Sequence, residues 1–182
     1  MTDELVTLDP GARIGVLGGG QLGRMLAIAA AQLGFRCHIY APSGDNPAFD
    51  VAAAHTAAAW DDEGALERFA AAVDVVTFEF ENVPVAVLDR LAPLVRVAPG
   101  RKALHVTQDR LTEKQFVQGL GIAVAPFAPV SGPDDEALAR IGTPAVLKTR
   151  RFGYDGKGQA RISSPEEAEA ALDAMAGQPA IL

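Results

Sequence analysis

Residues 148–159, KTRRFGYDGKGQ, gather the side chains of this chain best suited to holding an anion. Four cations (Lys148, Arg150, Arg151, Lys157) face one acid, Asp155, so the stretch is locally cationic although the whole chain carries −7. Gly153, Gly156 and Gly158 are spaced to let the backbone fold tightly and turn several N–H groups toward one point, a cradle for phosphate oxygens. The alternative is a solvated hairpin tip, where Gly and Lys are common. The apolar run Pro144–Leu147 leading into Lys148 favours the phosphate reading, because a lysine ending a buried strand calls for an anionic partner.

Two further clusters have chemical potential. Gly18, Gly20 and Gly23 match G-x-G-x-x-G between a predicted strand, Arg13–Leu17, and a predicted helix, Arg24–Leu33. A dinucleotide site also needs an acid at the end of the following strand, and here that strand ends Ile39-Tyr40-Ala41-Pro42, with Asp45 only later. The fingerprint is incomplete, yet the turn still offers N–H groups to an anion. Glu79, Glu81 and Asn82 end another predicted strand, Asp74–Phe80, where open α/β sheets bind ligands. Singly, either acid could be solvated or paired with Arg24; beside Phe78 and Phe80 they read as ligand groups. Arg110 and Lys114 stand four apart on a predicted helix, a repulsive spacing unless an anion lies nearby, or Glu113 relieves it.

The elements that must position these groups follow from pattern. Strand, glycine turn, helix and strand (Phe35–Tyr40) within about thirty residues make a βαβ unit and a parallel sheet. Asp61-Asp62-Glu63 opens a helix over 64–73, and Pro84 opens another, with Asn82 as its cap. Ala52–Ala59 reads as helix or loop. Leu94–Ala98 is a strand, and Thr107 caps the helix to Phe116. Gly119–Pro126 leads into a second region: a helix from Ser131-Gly-Pro, the strand to Lys148, an antiparallel return through Gln159–Ile162, a helix from Ser163/Ser164-Pro165, and a terminal strand from Gln178 with no partner in sequence order.

Composition excludes several classes. A pI near 4.9 argues against a general nucleic-acid or anionic-membrane surface. The single cysteine, Cys37, rules out an internal disulfide and cysteine metal clusters and reads as a core residue. His38, His55 and His105 are scattered and suggest no metal site. The acidic start lacks signal-peptide character, and no apolar run could span a bilayer, which points to the cytoplasm.

Four motifs in register carry a resemblance from about Arg13 to the last residue. Gly18-Gly-Gly-Gln-Leu-Gly-Arg-Met25, Thr77-Phe-Glu-Phe-Glu-Asn82, Asp109-Arg110 with Glu113-Lys114, and Gly153-Tyr-Asp-Gly-Lys-Gly-Gln159 resemble the ATP-grasp superfamily. Within it they look like the N5-carboxyaminoimidazole ribonucleotide synthetases. The resemblance implies an α/β fold: a loose tail over 1–12, a Rossmann-like pre-ATP-grasp domain over 13–118, and over 119–182 the start of an α+β ATP-grasp domain, its small lid subdomain. It implies that Arg110, Lys148 and the loop Gly153, Tyr154, Asp155, Gly156, Lys157, Gly158 and Gln159 bind ATP. Gly19, Gly20, Gln21 and Glu79 or Glu81 would bind aminoimidazole ribonucleotide, and Tyr154 and Asp155 would orient its amine for reaction.

The family reaction joins ATP, bicarbonate and that ribonucleotide through carboxyphosphate. It needs phosphate charge neutralised in a site closed to water. The resemblance also implies Mg²⁺, with ligands beyond Leu182 and none within the chain, and a homodimer. It leads us to expect that these 182 residues alone do not turn over. Rival readings are another ATP-grasp ligase such as formate-dependent glycinamide ribonucleotide transformylase, a nicotinamide-dependent oxidoreductase, or a non-catalytic nucleotide-binding module.

Overall fold

The computed structural model of the protein describes residues 7–130, 136–153, 157–175 and 177–182. The chain divides into two compact units, Met1–Leu104 and His105–Leu182.

The first unit is a five-stranded parallel sheet in the order β3-β2-β1-β4-β5. Its elements are β1 (Arg13–Leu17), α1 (Gln21–Gln32), β2 (Arg36–Ala41), β3 (Ala54–Ala57), α2 (Glu63–Ala71), β4 (Val75–Phe78), α3 (Val85–Leu91) and β5 (Arg96–Val97). A further helix, α4 (Arg101–Thr107), spans the join between the units. β1 lies between β2 and β4, with Val16 opposite Ile39 on one side and Thr77 on the other. α2 and α3 cover a core of Leu17, Tyr40, Leu66, Phe69, Val76 and Leu88. α1 packs its small residues Gly23, Ala27 and Ala30 inward, near Val16, Cys37 and Ile39. Burial on this scale contributes roughly 25 cal/mol per Å² of apolar surface, which is what holds a parallel sheet together.

The second unit has an antiparallel sheet of four short strands in the order β6-β9-β7-β8. α5 (Arg110–Gly119) precedes β6 (Pro129–Val130), α6 (Ala137–Ile141), β7 (Ala145–Thr149), β8 (Gln159–Ile162), α7 (Pro165–Ala174) and β9 (Ala180–Ile181). β7 and β8 form a hairpin in which Lys148 sits opposite Gln159. Leu147 and Ile162 point into a core completed by Ala137, Ala168, Ala171 and Met175.

Several expectations need correction. Ala54–Ala57 is a strand, not helix or loop: its backbone groups pair with the exposed edge of β2, and that pairing overrides alanine's helix preference. The expected strand from Asp74 ends at Phe78, so Glu79 and Phe80 lie beyond it. Asn82 does not cap α3; Pro84 occupies the cap position, and the Asn82 amide donates to Glu81. Thr107 does not cap the helix that follows: it ends α4, and that helix starts at Arg110, capped by Asp109, whose carboxylate accepts from the N–H groups of Leu111 and Thr112. The terminal strand is not unpaired, since β9 inserts between β6 and β7. The predicted helix start at Ser131-Gly-Pro lies outside the described residues; α6 begins at Ala137.

Candidate functional site

In the first unit the glycine turn and the acid after β4 are brought together by neighbouring parallel strands. β1 and β4 run side by side to Leu17 and Phe78, so Gly18 and Glu79 leave the sheet at the same edge. The Glu79 N–H donates to the Leu17 carbonyl at 3.2 Å, and the Glu79 carboxylate accepts from the Gly20 N–H at 3.2 Å. The turn needs glycine for steric reasons. Gly18 has φ +117°, and a Cβ there would lie 2.5 Å from the Glu79 carboxylate; a Cβ on Gly19 would lie 2.4 Å from Oδ1 of Asn46. Helix α1 then starts at Gln21 with no side chain capping its N–H groups. This edge therefore presents free helix donors next to a carboxylate acceptor, a pairing suited to a ligand carrying both an anionic or carbonyl group and hydroxyls.

Glu79 is half-buried, and burial chiefly pushes its carboxyl above the ordinary range; the Gly20 hydrogen bond opposes this and the Glu81 charge adds to it. Arg24 does not neutralise either acid: its guanidinium donates to the Pro47 carbonyl at 3.1 Å and pairs with Asp50 at 3.2 Å. Glu81 is exposed and accepts from Asn82 at 3.2 Å. Of the two acids, only Glu79 is held against the glycine turn. Gln21, Gly19 and Gly20 lie at the same edge.

Sequence reasoning missed Asn46. Its amide donates to the Pro42 carbonyl at 2.9 Å and the Gly44 carbonyl at 3.3 Å, while the Ala48 N–H donates to the Gly19 carbonyl at 3.0 Å. Residues 42–48 thus wall the turn from outside. The Asn-Pro dipeptide marks a turn in sequence, but nothing local says that it folds back on Gly19.

In the second unit, a groove of about 740 Å³ runs along β7. Arg110, Lys114, Lys148 and Arg161 line it against a single acid, Glu113, over an apolar floor that includes Ala145, Val146 and Ile181. Arg110 and Lys114, four apart in sequence, share this concave surface. Lys114 also lies over the Phe127 ring, 5.6 Å from its centroid. Lys114 and Arg161 enlarge the predicted cation set; of these Arg161 carried no sequence signal, because it is brought round only by the hairpin register.

Arg110 does more than supply charge. Its guanidinium donates to the Thr149 carbonyl at 2.8 Å and the Gly153 carbonyl at 2.5 Å, bracing the start of the glycine segment. The brace is itself anchored: the Arg110 N–H donates to the Arg150 carbonyl, and the Arg150 guanidinium grips Asp109 through three contacts of 2.6–3.0 Å. Burial would raise the Asp109 carboxyl, but the Arg150 hydrogen bond and charge, with the Thr112 and Leu111 N–H groups, outweigh it and hold it below the usual range. At the far end of the segment the Thr149 N–H donates to the Gly158 carbonyl at 2.8 Å. The buried Thr149 hydroxyl lies beneath both ends, 3.0 Å from where a Gly153 Cβ would sit and 2.5 Å from a Gly158 Cβ. Lys157 and Gln159 are exposed beside it. Phe152, at the entry, holds φ +61°, a left-handed conformation that costs about 1 kcal/mol for a bulky residue. Tyr154, Asp155 and Gly156 lie outside the described residues.

Among the described residues no three His, Cys, Asp or Glu side chains converge as metal ligands would. No described helix is long and apolar enough to cross a membrane.

Comparison with known proteins identifies the family. Residues 12–108 match the ribonucleotide synthetase preATP-grasp domain, and residues 115–182 match the ATP-grasp domain. An N5-carboxyaminoimidazole ribonucleotide synthase of Brucella melitensis is 50% identical over 98% of this chain and 51% of its own length. The enzyme of the same name from Pseudomonas aeruginosa is 42% identical over 93% of this chain and 48% of its own. Among solved structures, an ADP complex of N5-carboxyaminoimidazole ribonucleotide synthetase superposes with a TM-score of 0.89 at 37% identity, covering 96% of this chain and 47% of that one. The Aspergillus clavatus N5-carboxyaminoimidazole synthase in complex with ADP and 5-aminoimidazole ribonucleotide gives 0.81 at 27% identity, covering 94% and 46%. The chain spans about half the length of the curated relatives it matches.

Proposed function

Because the chain belongs to the ribonucleotide synthetase preATP-grasp family and continues into an ATP-grasp segment, we propose that it serves the ATP-dependent carboxylation of 5-aminoimidazole ribonucleotide by bicarbonate, a step of purine biosynthesis. In this reading each unit takes one ligand. The groove along β7 receives ATP: Lys148, Arg110 and Lys114 offset phosphate charge, and the N–H groups of the Gly153–Gln159 segment bind phosphate oxygens. The glycine turn takes the ribonucleotide: Gly19 and Gln21 offer N–H donors, Gly20 gives its N–H to Glu79 and so holds that carboxylate at the turn, and Glu79, rather than Glu81, accepts from the ligand's hydroxyls. Tyr154 and Asp155 orient the exocyclic amine that captures the carboxyl carbon. Any Mg²⁺ on the phosphates takes its ligands from outside the described side chains. The active protein is a homodimer.

The observation that carries this reading is the gathering of four cations against one acid around a single groove, in a chain whose net charge is −7. Such a concentration of like charge is costly without an anion to fill it. Calorimetric titration of the chain with ATP tests it. Lys148→Met is expected to weaken binding by about ten- to a hundredfold, the range for removing one hydrogen-bonded charge, while leaving the melting temperature within a degree or two. Equal ATP affinity in wild type and Lys148→Met contradicts the assignment.

A further inference from the structure

Thr149 holds the described ends of the glycine segment with every polar group it has except one. Its carbonyl accepts from the Arg110 guanidinium at 2.8 Å, and its N–H donates to the Gly158 carbonyl at 2.8 Å. Its hydroxyl, on a residue only 6% exposed, has no hydrogen-bond partner among the described residues. That hydroxyl lies where the two ends meet. It is 3.0 Å from the place of a Gly153 Cβ and 2.5 Å from that of a Gly158 Cβ, and the Gly153 Cα is itself 3.5 Å from the second of these points.

A buried hydroxyl without a partner is a net cost to a fold. Nothing in β7 requires one. Thr149 pairs with Ala180 of β9, at a strand position where valine has the same branched shape and no oxygen to desolvate. Nor does the hydroxyl face the groove. Alternation along β7 turns Val146 and Lys148 to the groove and buries Leu147 and Thr149 on the other side. The groups it is placed to serve are the backbone atoms of Gly153 and Gly158.

We propose that the Thr149 hydroxyl is a positioning group for the glycine segment, unpaired in the free chain and hydrogen-bonded by the backbone at Gly153 or Gly158 when the segment binds the phosphates of ATP. This role presupposes the ATP reading of the groove and adds to it a residue that touches no ligand. Glycine at both ends belongs to the same device, because a Cβ at either would crowd the hydroxyl. A hydrogen bond made only in the bound chain adds to affinity, since the free chain lacks it.

The test is calorimetric titration with ATP, and melting without nucleotide, of wild type, Thr149→Val, Thr149→Ser and Lys148→Met. Valine keeps the branched shape and removes the oxygen; serine keeps the oxygen and removes the methyl group. We expect Thr149→Val to melt at the wild-type temperature or up to about 4 °C above it, because an unsatisfied group has gone. The same variant should bind ATP about five- to tenfold more weakly, the range for one neutral hydrogen bond. Thr149→Ser should melt lower, from the gap left by the methyl group, yet bind ATP within about twofold of wild type. A lowered melting temperature in Thr149→Val means that the hydroxyl is already paired in the free chain, and overturns the proposal. Wild-type ATP affinity in Thr149→Val, with weakened binding in Lys148→Met, overturns it and leaves the ATP reading standing. Equal weakening in the valine and serine variants assigns the effect to packing and overturns it as well. If wild type binds no ATP, or binds it no better than Lys148→Met does, the ATP reading fails and this role fails with it.

Discussion

Two glycine-rich segments serve this molecule, and they are built in opposite ways. The turn at Gly18–Gly20 is crowded: it is wedged between Glu79 and Asn46, on the parallel sheet, with its conformation dictated by what presses on it. The segment from Gly153 to Gly158 belongs to an antiparallel hairpin, and its described ends are held by Arg110 at Gly153 and by Thr149 at Gly158. The first uses glycine so that a carboxylate can come close to the backbone; in the second, a Cβ on Gly153 or Gly158 would crowd the Thr149 hydroxyl. A shared residue type therefore says little about a shared task. What distinguishes them is the neighbouring charge: one half-buried acid with no cationic partner among the described residues in the first case, a groove lined by four cations in the second.

The crowding of the first turn is the easiest part to break. Gly18→Val adds a branched side chain at φ +117°, into the space of the Glu79 carboxylate. It is expected to cost about 3–4 kcal/mol in urea unfolding, whereas Gly11→Val, also at positive φ but with nothing within 4 Å, should cost about 1–2 kcal/mol from backbone strain alone. Equal losses contradict the wedge.

The tie that holds the second segment comes next. Asp109→Ala removes the cap of α5 and leaves Arg150 without its carboxylate, with an expected loss of about 2–3 kcal/mol. The pair is partly exposed, which places this below the cost of breaking a fully buried pair.

The two units should also answer acid with opposite sign. Asp109 is held below the ordinary carboxylate range in the folded chain. Its contribution is therefore present above the unfolded value near pH 4 and lost as pH falls through the lowered one. Glu79 is raised by burial, so its protonated form is the one the fold prefers. Its contribution is present at low pH and lost as pH climbs from the unfolded value through the raised one. Arg150→Met should flatten the acid limb of a stability–pH curve followed on the second unit. Glu79→Gln should stabilise the first unit slightly at neutral pH, by less than about 1 kcal/mol, while weakening ribonucleotide binding. A destabilising Glu79→Gln would mean that the carboxylate is structural.

Much of this was legible in the sequence because it depended on neighbours in the chain. The βαβ unit, the Lys148 strand and its antiparallel return are local patterns of apolar residues and glycine. What escaped reading was decided by distant partners. Ala54–Ala57 becomes a strand only because β2 offers a free edge, and β9 finds its place only between β6 and β7. Thr107 and Asp109 are both good caps; Arg150, forty-one residues on, favours Asp109. The same holds at the sites. Glu79 and Glu81 are alike in sequence, and the parallel register of β1 with β4 selects Glu79. Nothing local says that the turn at Asn46 folds back on Gly19, or that Arg161 joins the cations of the groove.

The claim that the two segments hold two different ligands is tested most directly by amide NMR of the labelled chain, titrated separately with ATP and with 5-aminoimidazole ribonucleotide. ATP should shift the amides of Lys148, Gly158 and Arg161 and leave Gly18–Gly20 unmoved; the ribonucleotide should do the reverse, with Gly20 and Glu79 responding most. If ATP instead perturbs Gly18–Gly23 and spares Lys148, the glycine turn is the nucleotide site and the division of labour argued above is wrong.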